Sequence, residues 1–102
     1  MTHARFDPDL LDPDDPFEID RQAAHLFKHD GLGIEDVYDA WRSKPGFYPA
    51  KFPADWIMVA IVNGEVLAIP LAPSRSGDPR RCRPIGCYRA PQSLARRFRS
   101  EP

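Results

Sequence analysis

Apolar and polar positions in this chain follow two different periods. Ile34, Val37, Tyr38 and Trp41 fall at i, i+3, i+4 and i+7, one apolar stripe on a helix running from Ile34 to about Arg42, and Pro45-Gly46 stops it. Further on, Trp56–Val62 and Glu65–Leu71 are strand-length apolar runs divided by Asn63-Gly64, a pair favoured in type I′ turns because both central residues take positive φ. A hairpin closed there has one register, with Ile61 facing Val66, Ala60 facing Leu67, Val59 facing Ala68 and Met58 facing Ile69. Both faces of that hairpin are apolar except at Glu65. It should therefore sit mid-sheet, with helices on one face and the C-terminal helix or a second copy of the chain on the other.

The weaker signals fill in around these two. Pro16–Ile19 reads as a short strand, and Asp20 as the N-cap of a helix over 21–29 closed by Asp30-Gly31. Pro49 and Pro53 leave 46–55 as either a loop or a ragged edge strand. Arg83–Arg89 should run antiparallel to the second hairpin strand, with the ladder fraying where Pro84 meets Pro70, since neither nitrogen can donate. A long loop, 72–81, precedes it. A short helix over 92–99, with Leu94 and Phe98 inward, ends the chain. The order β-α-α-β-β-β-α defines an α+β fold with two N-terminal helices, an antiparallel sheet of three to four strands and one short C-terminal helix. Residues 1–15 repeat Asp-Pro with little to bury and are expected to form a flexible acidic arm, either a solubilising tail or a segment that folds back on the arginine-rich surface and mimics nucleic acid, leaving 16–102 as a single domain.

At 102 residues the chain can build one modest core. No apolar run approaches the roughly 18–20 residues that span a bilayer. The N-terminus is acidic where a secretory signal needs basic residues, so a soluble, cytoplasmic protein is expected. The formal net charge of −1 hides an asymmetry: residues 1–42 hold 11 acids and 4 bases, whereas 43–102 hold 4 acids and 10 bases. From Arg75 onward eight arginines face only Asp78 and Glu101. Such a half suits phosphate or an acidic partner, and the arginine usage also fits a GC-rich coding sequence.

Several chemistries find no support. Cys82 and Cys87 lie five apart on the expected strand, so they should point to opposite faces about 16 Å apart as free thiols. His25 and His29 share a helix face but lack further ligands at metal spacing, so no metal or cofactor is expected. Ser74, Ser76 and Ser93 have no triad context, and Gly31-x-Gly33 is too short for a phosphate loop.

Phe17-Glu-Ile-Asp20, His25-Leu26, Lys28-His29-Asp30-Gly31 and Ile34-Glu35-Asp36-Val37, followed by the hairpin and the basic strand Arg83–Ala90, resemble in their order the BrnT family of small type II toxins with a RelE-like fold. The likeness spans about residues 16–99. It implies a metal-independent ribonuclease that arrests translation by leading an RNA 2′-hydroxyl onto the adjacent phosphate, acting on RNA or the ribosome. It also implies a cognate antitoxin with a ribbon-helix-helix part. Lys28, His29 and Arg83 match the family motifs, and Arg89 stands one step beyond the family's strand-end Arg; these four become the catalytic candidates, cations that stabilise developing negative charge. Arg75, Arg80, Arg81 and Arg96 become RNA-binding candidates. Tyr88 stands where the family has a strand-end Arg, as a base-stacking residue or a substitute for it. Leu94 and Phe98 replace the family's Glu and Tyr. These departures define a second reading: an inactive relative that serves as a protein-binding or regulatory module.

Overall fold

The computed structural model describes residues 4–19 and 31–101. The helix expected over 21–29, with His25, Lys28 and His29, lies outside the described residues. After a 3-10 turn at Pro8–Leu10 come α1 (Ile34–Arg42), β1 (Gly46–Pro49), β2 (Trp56–Val62), β3 (Glu65–Pro73), β4 (Cys82–Pro84), β5 (Tyr88–Arg89) and α2 (Gln92–Ser100). The sheet runs β1-β2-β3-β4, with β5 also on β3, and all of these pairs are antiparallel. The fold is α+β.

α1 begins where Asp36 accepts a hydrogen bond from the Gly33 N–H at 2.7 Å, satisfying a donor that the helix itself cannot. Its stripe meets the sheet as the 3.6-residue period requires, with Val37 and Ala40 fully buried. The hairpin has the expected register, Ile61↔Val66 through Met58↔Ile69. Asn63 and Gly64 turn it at φ 51° and 81°. The 46–55 stretch resolves into the edge strand β1, paired with β2 from Gly46↔Val59 to Pro49↔Trp56.

Two cores result, one per face. Met58, Ala60, Val62, Leu67, Ile69 and Leu71 point to the α1 side, where Phe17 sits edge-on to Tyr38 at 5.3 Å and to Trp41 at 5.8 Å. Val59 and Val66 point the other way, to Tyr48, Leu94, Ala95 and Phe98. Of the two covers expected for that second face, the described structure places the C-terminal helix there.

Three expectations need correction. Arg83–Arg89 is not one regular strand: pairing stops at Leu71↔Pro84 and resumes at Ala68↔Tyr88. Between them the Ile85 N–H reaches Pro70 O at 3.0 Å, and Gly86 sits on the Pro70 ring. Two prolines side by side remove ladder donors, and the irregular 85–87 stretch shifts the parity. Cys82 and Cys87 therefore share the α1-side core instead of facing apart. Nor is Pro16–Ile19 a full strand. It makes one parallel bridge, Phe17↔Cys82, which covers the β4 edge.

The third correction concerns the acidic arm. Residues 4–15 lie on the domain instead of hanging free. Leu11 is buried in the main core and Phe6 packs against it. The Phe6 N–H donates to the Asp55 carboxylate at 3.0 Å, and the Trp56 indole donates to Phe6 O at 2.7 Å. Arg5 Nε donates to Asp55 O, Tyr38 OH to Asp15, and Trp41 Nε1 to Pro13 O. Two apolar anchors and a set of aromatic donors offset the ordering cost of a segment whose composition is otherwise that of a free tail.

Candidate anion-binding site

The β3–β4 connection carries three arginines and two serines, and the N-terminal segment runs directly against it. Gly77 takes φ +79°, a conformation that favours glycine, which lets the loop close with its N–H on Ser74 O at 3.3 Å. In that turn Ser74 Oγ donates to the Glu18 carboxylate at 2.6 Å, Ser76 Oγ donates to it at 3.2 Å, and the Arg75 backbone N–H at 3.1 Å. Two hydroxyls and an amide thus converge on one carboxylate. Such a concave set of donors holds an anion without needing a helix.

Arg80 and Arg81 extend the same surface. Arg80 Nη2 meets Asp12 at 3.2 Å, and the Asp12 N–H returns a bond to Arg80 O at 2.8 Å. Arg81 Nη2 lies 3.8 Å from Asp15 and donates to Phe17 O. Its Nε is buried with no acceptor among the described residues.

The Glu18 and Asp12 carboxyls respond to this setting. Partial burial pushes the Glu18 carboxyl up, but the bonds from Ser74, the Arg75 N–H and Ser76, with the Arg81 charge, outweigh it and hold it below its ordinary value. Asp12 is lowered chiefly by the Asp14 N–H, against some desolvation, and further by the Asp15 N–H, Arg80 and Arg81.

The other candidates disperse. Arg83 pairs with Ala72 and Arg89 with Leu67, so they sit roughly 17 Å apart along β3 at ~3.4 Å per residue. Leu67 points to the α1 side, and strand alternation turns Ala72 to the other, so the two arginines also leave opposite faces of the sheet. Arg83 Nε is held by Pro73 O at 3.0 Å, and Arg89 by Glu65 at 3.2 Å. This pair therefore cannot grip one phosphate together. The regular strand assumed for it is broken at Pro84–Cys87. Tyr88 is 37% exposed beside Ala68. Arg96 is exposed on α2, the helix that packs against Tyr48, Val59 and Val66. Lys28 and His29 lie outside the described residues.

Sequence reasoning named Arg75, Arg80 and Arg81 but missed Glu18, Ser74 and Ser76, having tested the serines only as nucleophiles. A Ser-x-Ser-Gly turn beside paired arginines was the available signal. It also missed Asp55, 2% exposed, as the anchor of the N-terminal segment. Beside α2 it missed an open groove in which Lys44, Arg99, Ile61 and Phe98 meet.

No described group of His, Cys, Asp and Glu is placed to hold a metal ion, and no described helix is long and apolar enough to cross a membrane. Burial pushes both thiols up to about 12, helped at Cys82 by Glu18 and at Cys87 by Asp36. Neither should react with a thiol reagent at pH 8 except through unfolding. Labelling of the native protein should stay slow and jump on adding denaturant, whereas rapid native labelling would show an open core.

The fold and the loop together define a small α+β domain whose basic loop is lined by carboxylates of its own N-terminal segment. Compared with known proteins, the chain matches no family model, no curated protein and no solved structure.

Proposed function

We propose that this protein is RNA-directed: the toxin member of a toxin–antitoxin pair of the BrnT-like, RelE-like kind, binding RNA through its Ser74–Arg81 loop. The observation that carries the RNA contact is the convergence of two hydroxyls, a backbone N–H and two guanidiniums on carboxylates at that loop. Donors that grip carboxylates also grip phosphate, and arginine does so at any physiological pH. Cleavage, in this reading, rests on Lys28 and His29 with Arg83. Arg89, salted to Glu65 on the other face, is the weakest of the four catalytic candidates.

Tightly induced expression in a bacterium tests the reading. Amino-acid incorporation should fall within minutes, and Lys28→Ala/Arg83→Ala should leave it unchanged at equal soluble level. The cleaved RNA should end in a 2′,3′-cyclic phosphate, the product of attack by a neighbouring 2′-hydroxyl. Normal incorporation at high soluble level would sink the nuclease.

A second reading, a protein-binding module, is favoured by the groove beside α2. Ile61, 40% exposed, and Phe98 form its apolar floor, and Lys44 and Arg99 have no ion pair among the described residues. An antitoxin with an acidic, apolar segment would fit there, so both readings share a partner.

A further inference from the structure

We propose that the Ser74–Arg81 loop is masked by the chain itself: Asp12, Asp15 and Glu18 occupy the positions that RNA phosphates take, and RNA binds by displacing them. This rests on the RNA-directed reading above and adds its regulation.

Three features support it. Each carboxylate sits on a donor that suits phosphate better than it needs a carboxylate: Glu18 on the Ser74, Arg75 and Ser76 cradle, Asp12 on Arg80, and Asp15 on Arg81. The pairs are also built to open. The side chains are 64% and 32% exposed in the Arg80–Asp12 pair and 37% and 59% in the Arg81–Asp15 pair, and ion pairs that reach solvent on one side contribute little to stability. Finally, the buried Arg81 Nε still lacks an acceptor among the described residues, so the carboxylates leave part of the donor set unfilled. A tetrahedral phosphate offers more acceptor oxygens than a carboxylate does.

The backbone beneath the three acids does not have to move. Phe17 is 1% exposed and Leu11 5%, and both stay in the core while the carboxylates swing away. The asymmetry of charge along the sequence thus becomes a local device: three acids of the N-terminal segment shield a basic loop that would otherwise attract any polyanion. Partners or RNA must supply enough negative charge in the right places to compete.

Truncating the N-terminus is a poor test, because it removes Phe6 and Leu11 from the core. Neutralising the charges keeps shape: Asp12→Asn/Asp15→Asn/Glu18→Gln, checked for an intact thermal transition. Binding of a single-stranded RNA oligomer would be measured over a salt series. The triple variant should bind at least tenfold more tightly than the wild type, and its log–log salt slope should steepen by about 0.7 for each phosphate newly contacted. Adding Arg80→Ala/Arg81→Ala should return it to wild-type affinity or below. If the triple variant fails to fold, Asp12→Asn alone, which removes the charge paired with Arg80, should still show a gain of about threefold, on the scale of a single screened ion pair. Equal, measurable affinity of wild type and variant overturns the masking and leaves the RNA reading standing. Absence of binding by either protein at low salt overturns both.

Discussion

Replacing Phe17 with alanine should cost about 3–5 kcal/mol, the range for truncating a buried aromatic. Phe17 is 1% exposed and forms edge-on contacts with Tyr38 and Trp41, and Trp41 in turn meets Phe47 on β1 at 6.4 Å. One ring therefore joins the N-terminal segment, α1 and the sheet. Its backbone also bridges Cys82 and accepts from Arg81, so a cavity there loosens the lower edge of the basic loop. Thermal melting should show a fall of at least about 10 °C, since each kcal/mol is worth roughly 4–8 °C in a domain of this size. A shift of a degree or two would mean that the aromatic cluster is not the centre of the fold.

Asp55→Ala should destabilise by about 1.5–3 kcal/mol, the cost of leaving a buried donor without its charged acceptor. The Asp55 carboxylate takes the Phe6 N–H at 3.0 Å from a position 2% exposed. Its backbone is equally committed, receiving Arg5 Nε and the Ala50 N–H at 3.0 Å and donating to Leu71 O at 2.8 Å. The side-chain bond to Phe6 is lost on substitution, and these backbone bonds are kept. The effect should therefore concentrate in the N-terminal segment, where hydrogen exchange at Phe6 should accelerate more than at Met58. Asp55→Asn keeps an acceptor and should recover much of the loss. Uniform acceleration across the sheet would show instead that Asp55 holds the β1–β2 corner and not the segment.

These two sites differ in how far the sequence announces them. Phe17 stands in Pro16–Ile19, which reads as a short strand, although a single bridge to Cys82 replaces the strand expected there. Asp55 stands before β2 like an ordinary loop acid, and nothing local distinguishes it. Its partner lies 49 residues earlier in a segment that reads as a free tail.

The candidate site divides along the same line. The arginines of 75–81 were legible because composition and loop length are local properties. The cradle was not, because Glu18 reaches it across 56 residues of sequence to Ser74. The two thiols share one core for a related reason. Alternation holds only along a regular strand, and the ladder ends at Pro84, which faces Leu71 next to Pro70, before Cys87 is reached.

What the sequence by itself determined are the elements whose causes lie within a few residues: the stripe that makes α1, the Asn63-Gly64 turn that fixes the hairpin register, and the apolar inner positions of α2. Helical period, positive φ and strand alternation are short-range constraints, so they are readable without a fold. Only the tertiary structure decided which side of the sheet each arginine leaves, that the two thiols share one core, and that an acidic N-terminus lies on a basic loop. Those outcomes depend on contacts between residues far apart in the chain. Each partner's contribution there is small until packing brings the two together and excludes the water that would otherwise solvate them.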